Sequence, residues 1–149
     1  MIAGCGGTGG ATTTGPDRTT SGRPAAQGPV VASLGGLRDL ANSVGHPVYW
    51  AGERPGEHEL TVDPNGNIFI RYLDAGVPAG SRRTSLTVAT YPLARGYEIL
   101  KEVSRRPGET TGHTPDGGLV AGVAESHNAY IAYPGTDLQI EVYDPKAGR

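Results

Sequence analysis

The sequence predicts an α+β domain in which two helices are packed on an antiparallel sheet of about seven strands. Two stretches carry apolar residues at steps of three and four positions, as amphipathic helices do. Several short runs alternate apolar and polar residues between Pro- and Gly-containing turns, which is typical of strands joined by hairpins. Together these observations favour helices layered on one face of an antiparallel sheet, with the other face exposed or curled into a groove.

The first helix is predicted within residues 33–45. Ser33 is suited to cap its N-terminus, and Gly45, which Pro47 follows closely, is suited to end it. Residues 48–52 (VYWAG) then predict a short strand. The apolar positions that recur along the helix are Leu34, Leu37, Leu40, Ala41 and Val44.

Residues 58–74 (HELTVDPNGNIFIRYLD) predict a β-hairpin. The turn is placed at residues 63–67, where Pro and Gly suit a tight reversal of the chain. Alternation directs Phe69 and Arg71 outward. The residues expected to face inward from the two strands are Leu60, Val62, Ile68, Ile70 and Tyr72.

The second half of the chain predicts a similar mixture of elements. A strand is expected over residues 85–92, and an amphipathic helix follows over residues 93–106, before Pro107 and Gly108. After a polar loop, three more strands are expected within residues 118–125, 129–134 and 137–145.

Two hairpin segments in the sequence can be superposed on each other. Residues 64–74 and 134–144 have the same length, begin with Pro, end with Asp and match at two apolar positions. One interpretation is a duplicated αβββ unit, with residues 85–92 as an extra or edge strand. The other is chance similarity between two hairpins, and the sequence favours neither.

The N-terminal fifth of the chain differs from the rest in composition. Of residues 6–30, 20 are Gly, Thr, Pro, Ala or Ser, and no large apolar residue occurs between residues 6 and 29. Such a segment has nothing to bury and cannot offset the entropy of becoming ordered. We therefore predict a disordered tether over residues 6–30 and a single compact domain over residues 31–149.

The segment Gly4-Cys5-Gly6-Gly7-Thr8-Gly9 satisfies the dinucleotide-binding pattern G-x-G-x-x-G. That pattern binds a pyrophosphate only where a strand precedes it and a helix follows it. Three residues precede Gly4, and the residues after it are rich in Thr, Gly and Pro. The pattern is therefore a coincidence of a Gly-rich segment, and no nucleotide cofactor is expected.

Residues 2–5 (IAGC) resemble the lipobox of bacterial lipoproteins, in which an apolar residue and two small residues precede a lipidated cysteine. The resemblance implies that Cys5 carries a diacylglyceryl group and becomes the mature N-terminus. It also implies export to the cell envelope, with the protein anchored by its lipid on the outer side of the membrane. Because the family's basic and apolar signal segments precede the lipobox, the resemblance implies a signal peptide truncated in this chain.

Composition argues against several classes of partner. The formal net charge is −2 and acidic and basic residues are interspersed, so no nucleic-acid partner is expected. Cys5 is the only cysteine, and none of the four histidines shows metal-ligand spacing with another, so no metal is expected.

No catalytic motif emerges from the sequence, whereas its aromatic residues suit a binding surface. The residues assigned to ligand binding are Tyr49, Trp50, Phe69, Arg71 and Tyr91. The alternative is that these rings seal the rim of a small core. We expect a non-catalytic module that binds an unknown envelope ligand or protein. Two alternatives stay open: a secreted or surface enzyme with a site on the open sheet face, and a cytosolic interaction module that starts at Met1.

Overall fold

The computed structural model describes residues 25–123 and 125–147, which form two helices and one eight-stranded sheet. The helices are α1 (Leu34–Val44) and α2 (Gly96–Val103). The strands are β1 (Gln27–Val31), β2 (Glu57–Val62), β3 (Ile68–Leu73), β4 (Leu86–Pro92), β5 (Glu109–His113), β6 (Leu119–Val123), β7 (Asn128–Ala132) and β8 (Leu138–Tyr143).

The strands are arranged in the order β1-β2-β3-β4-β8-β7-β6-β5, and every neighbouring pair is antiparallel. Each half of the sheet is built from strands consecutive in sequence, and the two halves join where β4 pairs with β8. The α+β class with an antiparallel sheet is thus confirmed. The expected number of about seven strands is corrected to eight.

Three local differences account for the strand count. Residues 48–52 form no strand: the Tyr49 amide donates to Thr90 Oγ1 (3.2 Å), and the Ala51 amide donates to the Tyr72 hydroxyl (2.5 Å). Their backbone groups bond to side chains of the sheet and so are not available for a strand ladder. β1 and β5 are added at the two edges, where one-sided pairing tolerates polar or exposed residues.

β1 begins at Gln27, so it includes residues 27–30 of the predicted tether. The remaining tether residues that precede residue 25, together with Cys5 and the rest of residues 1–5, lie outside the described residues.

Local signals for α1 and for the β2–β3 hairpin are confirmed. Ser33 Oγ accepts a hydrogen bond from the Gly36 amide (3.1 Å), and Gly45 ends α1 in the left-handed region, with φ of 72°. In the hairpin turn, Asp63 Oδ1 accepts hydrogen bonds from the amides of Asn65 (2.7 Å) and Asn67 (2.9 Å). These bonds involve only near neighbours, which is why the sequence specifies them.

α2 begins later and ends earlier than the predicted residues 93–106. Before the helix, the Leu93 amide donates to the Asp137 carbonyl (2.8 Å) and the Arg95 amide to Asp137 Oδ1 (3.0 Å). Gly96 then passes so close to β8 that a Cβ there would lie 2.7 Å from the Leu138 carbonyl oxygen. The start of α2 is therefore set by its contact with β8, a strand distant in sequence.

The two helices lie on opposite faces of the sheet, so the expectation that both cover one face is wrong. In β7, Ile131 packs with the cluster beneath Leu37 of α1, whereas Tyr130 and Ala132 pack with Leu100 of α2. Neighbouring residues of a strand point to opposite faces, and paired residues of adjacent strands share a face. The α1 face thus carries the main core: Leu60, Val62, Ile68, Ile70, Tyr72, Val88 and Ile140.

This arrangement does not confirm the duplicated αβββ unit. The matched residues Ile70 and Ile140 both lie on the α1 face, but only the first unit has its helix on that face, since α2 packs on the opposite one. In addition, residues 85–92 do not form an edge strand, because β4 pairs with both β3 and β8.

Candidate ligand groove on the α2 face

Within residues 25–123 and 125–147, neither a helix nor a loop covers part of the α2 face. α2 packs on β6, β7 and β8, and the β3–β4 loop folds over the other side, where the Gly80 amide donates to Glu59 Oε2 (2.5 Å). Between them is an open cavity of about 180 Å³, which we call the groove. It is lined by Phe69, Thr87, Ala89, Tyr91, Glu141 and Tyr143.

The strand register explains why these side chains meet. Phe69 pairs with Ala89, and Ala89 pairs with Glu141, so the three residues form a row across β3, β4 and β8 on one face. Tyr91 lies two residues after Ala89 on β4, and Tyr143 lies two residues after Glu141 on β8. Both tyrosines are therefore on the same face as the row.

Three side chains donate hydrogen bonds to the Glu141 carboxylate. The Tyr91 hydroxyl lies 2.5 Å from Oε2, Asn128 Nδ2 lies 2.9 Å from Oε1, and the Tyr130 hydroxyl lies 3.3 Å from Oε1. The donors come from β4 and β7, which flank β8. The carboxylate is thereby held in a fixed orientation between its two neighbouring strands.

All three donors to Glu141 are neutral. Burial raises the pKa of the Tyr91 phenol, and its hydrogen bond to Glu141 raises that pKa further, so the phenol keeps its proton at neutral pH. Within the described residues, the one ion pair joins Arg71 to Glu59, and Glu141 has no cationic partner. The groove therefore contains a carboxylate whose charge no basic side chain of the described residues neutralises.

Aromatic rings form the walls of the groove. Phe69 and Tyr91 meet edge to face, with ring centroids 5.9 Å apart and planes at 84°. Tyr143 lines the cavity from β8, and the His127 ring packs against it at 6.0 Å. Between these large rings, the small Ala89 side chain leaves depth at the floor of the groove.

The structure brings together only two of the five residues that the sequence assigned to binding, Phe69 and Tyr91. Tyr49 and Trp50 belong to the other face: Tyr49 stacks on Tyr133 at 5.7 Å with nearly parallel planes, and Trp50 packs edge to face on His58 at 6.3 Å. Both rings pack against the edge of the main core, as the alternative interpretation had it.

Arg71 lies on the α2 face but its guanidinium is used within the protein. Nη1 bonds to Glu59 Oε1 (2.6 Å), and Nη2 donates to the carbonyl oxygens of Ser81 (3.0 Å) and Arg83 (2.6 Å). Glu59 is only 2% exposed. Arg71 therefore fastens the β3–β4 loop onto β2 and does not present a free cation to a ligand.

The sequence did not assign Glu141 to binding, nor Asn128 and Tyr130, which donate to its carboxylate. The alternation of residues along β8 predicts that Glu141 points away from the main core, since it lies on the face opposite Ile140. What no local pattern supplies is the pairing of β4 with β8, which brings Tyr91 to the carboxylate.

A second cavity, of about 280 Å³, opens at one end of β3, β4 and β8. The charged side chains among its lining residues are of both signs: Arg54, Asp74, Asp144 and Lys146. Arg54 also lies over the Tyr72 ring, 5.8 Å from its centroid. Because its charges are mixed and Arg54 already contacts the Tyr72 ring, this cavity has a less defined ligand preference than the groove has.

Comparisons of the chain with protein-family models, curated proteins and solved structures found no match. Neither helix in the described ranges has the length and apolar character needed to cross a membrane. Residues 25–123 and 125–147 contain no group of three or more His, Cys, Asp or Glu side chains placed to hold a metal ion.

Proposed function

We propose that this chain is a non-catalytic binding module of the bacterial cell envelope, anchored by a lipid on Cys5 and binding a small ligand in the groove. The observation that carries the binding role is the Glu141 carboxylate, which Tyr91, Asn128 and Tyr130 hold in an open cavity walled by aromatic rings. A few fixed polar groups among apolar walls are typical of small-molecule sites.

The lipid anchor is supported by the resemblance of residues 2–5 to a lipobox and by the composition of residues 6–24. The two acyl chains of a diacylglyceryl group would supply the two hydrophobic signals that stable attachment requires. A labelled fatty acid fed to cells that express the gene with its upstream DNA should label the wild type and not Cys5→Ala. Equal labelling of both proteins contradicts the anchor, and a stop codon directly upstream of residue 1 favours the cytosolic alternative.

The binding role is tested by nuclear magnetic resonance with an isotope-labelled domain and a small fragment library. Ligands should shift the signals of Phe69, Glu141 and Tyr143, and Tyr143→Ala should abolish those shifts. The matched control is Tyr49→Ala, which removes a half-buried ring from the α1 face and should leave binding unchanged. Fragments that shift only residues outside the groove would contradict this role.

A surface enzyme is the second candidate, because the Tyr91 hydroxyl and the Glu141 carboxylate lie 2.5 Å apart in an open cavity. Such a pair is within reach for proton transfer to a bound substrate. Chromogenic ester, amide and glycoside substrates test it. Turnover that Glu141→Gln abolishes, and that the exposed-site control Glu102→Gln retains, would replace the non-catalytic role.

A further inference from the structure

We infer that the groove selects an organic cation, in the form of an alkylated ammonium group. This inference rests on the proposed binding role and names the chemical class of its ligand. Three properties of the groove lead to it: an unneutralised carboxylate, walls of aromatic rings, and a volume suited to a single headgroup.

The charge of the groove is the first property. The carboxylates of Glu59 and Glu141 both lie on the α2 face, and their surroundings differ. Glu59 is bonded to the Arg71 guanidinium at 2.6 Å, so its charge is matched within the protein. Glu141 receives hydrogen bonds only from neutral groups among the described residues, so its charge is oriented but not matched. A cationic ligand would supply the missing partner.

The aromatic walls are the second property. A cation within about 6 Å of an aromatic ring is attracted by the negative potential of the ring face, and quaternary ammonium ligands are commonly recognised in this way. Phe69, Tyr91 and Tyr143 all line the cavity that contains Glu141. Because the Tyr91 phenol stays protonated, its ring adds no second negative charge to the site at neutral pH.

Size and ligand set argue against other occupants. The cavity of about 180 Å³ is smaller than the roughly 300–1,000 Å³ of pockets for drug-sized ligands, so it suits one headgroup. An anion would meet the Glu141 charge without a basic residue among the lining residues to offset it. A metal ion would find a single carboxylate there, whereas hard cations prefer several oxygen ligands.

The test compares choline with 3,3-dimethylbutanol, a neutral compound of the same shape in which carbon replaces the charged nitrogen. In titrations followed by nuclear magnetic resonance, choline should shift the signals of Phe69, Glu141 and Tyr143. Its affinity should exceed that of the neutral compound by about tenfold or more, and should fall as salt is added.

Two variants assign this preference to the groove. Glu141→Gln keeps an oxygen for Tyr91 but removes the charge, so it should weaken choline binding about tenfold and leave the neutral compound unaffected. Glu102→Gln, at an exposed position on α2, should change neither affinity. Tyr143→Leu keeps the charge and removes a ring, and its expected loss of several-fold in choline affinity provides a second test if Glu141→Gln does not fold.

The outcomes separate this inference from the binding role. Equal affinity for the two compounds, or choline binding that survives both groove variants, would overturn the cation inference and leave the groove a binding site. If glucose shifts the groove signals and choline does not, the cation inference is likewise overturned, the groove remains a binding site, and its ligand is neutral. Failure of choline, the neutral compound, glucose and all library fragments to shift groove signals would overturn both proposals.

Discussion

Replacing Arg71 with Met should destabilise the fold strongly, because it leaves the Glu59 carboxylate buried without a cation. Glu59 is 2% exposed and receives two hydrogen bonds, from Arg71 Nη1 and from the Gly80 amide. Arg71 also donates to two carbonyl oxygens of the β3–β4 loop, at Ser81 and Arg83. One substitution therefore removes three hydrogen bonds and the only positive charge bonded to this carboxylate within the described residues.

The expected loss can be bounded from the burial of the pair. Removing one partner of a buried ion pair typically destabilises a protein by about 3–5 kcal/mol, whereas exposed pairs contribute about 0–1 kcal/mol. Glu59 is buried but the Arg71 side chain is 22% exposed, so we expect a loss near the lower bound, about 3 kcal/mol. Against a total stability of about 5–15 kcal/mol for a domain, such a loss is a large fraction.

The free energy of unfolding is measured by urea denaturation, followed by the fluorescence of Trp50, the single tryptophan. The double variant Glu59→Gln/Arg71→Met removes both charges and should lose less stability than Arg71→Met alone. Arg82→Met, at an exposed position of the same loop, is the matched control and should stay within about 0.5 kcal/mol of the wild type. Trypsin should also cleave after Arg82 or Arg83 faster in Arg71→Met than in the wild type.

Two results would refute this reasoning. The first is a loss below about 1 kcal/mol for Arg71→Met, as for an exposed ion pair. The second is a double variant that is less stable than Arg71→Met, since the cost would then lie in lost packing and not in the unpaired charge.

Three further substitutions test other contacts. In urea denaturation, Gly56→Ala should lower the free energy of unfolding far more than Gly76→Ala. Both glycines have positive φ, but a Cβ at Gly56 would lie 2.1 Å from the Leu73 carbonyl oxygen, whereas a Cβ at Gly76 meets nothing within 4 Å. Equal losses in the two variants would refute the clash at Gly56. Leu100→Ala should cost about 2–5 kcal/mol in the same assay, because Leu100 of α2 is 1% exposed and packs on Leu119, Ala121 and Ala132 of the sheet. A loss below about 1 kcal/mol would contradict that packing. Folding raises the pKa of Tyr91, so its contribution to the free energy of unfolding should be fully present below the ordinary tyrosine pKa of about 10 and should decrease as the pH rises above it. The decrease should be at most about 1.4 kcal/mol per pH unit, because the group is partly exposed. Tyr91→Phe should make this decrease smaller, and an unchanged slope would contradict the assignment.

The sequence by itself determined the elements whose signals are local. Ser33 and Gly45 mark the ends of α1 because the cap bond and the left-handed turn involve residues within one helical turn. The β2–β3 hairpin follows from Asp63 and its near neighbours, and alternation places Ile68 and Ile70 in the core with Phe69 and Arg71 on the opposite side. Periodicity of two along a strand suffices for that assignment.

Only the tertiary structure decided how these elements meet. The pairing of β4 with β8 links residues about fifty positions apart, and it alone brings Tyr91 to Glu141. The helices occupy opposite faces because α1 packs on the cluster around Ile70 and α2 on the cluster around Ala121, a choice that neither helix encodes in its own pattern.

The role of Arg71 illustrates the same limit. Alternation correctly placed it away from the main core, but an outward residue becomes either a ligand contact or a structural contact according to what covers it. Here the β3–β4 loop covers it, and the loop is held there by Glu59 on a neighbouring strand. Patterns of neighbouring residues fix which way a side chain points, whereas contacts between distant segments fix what it touches, and function depends on the second.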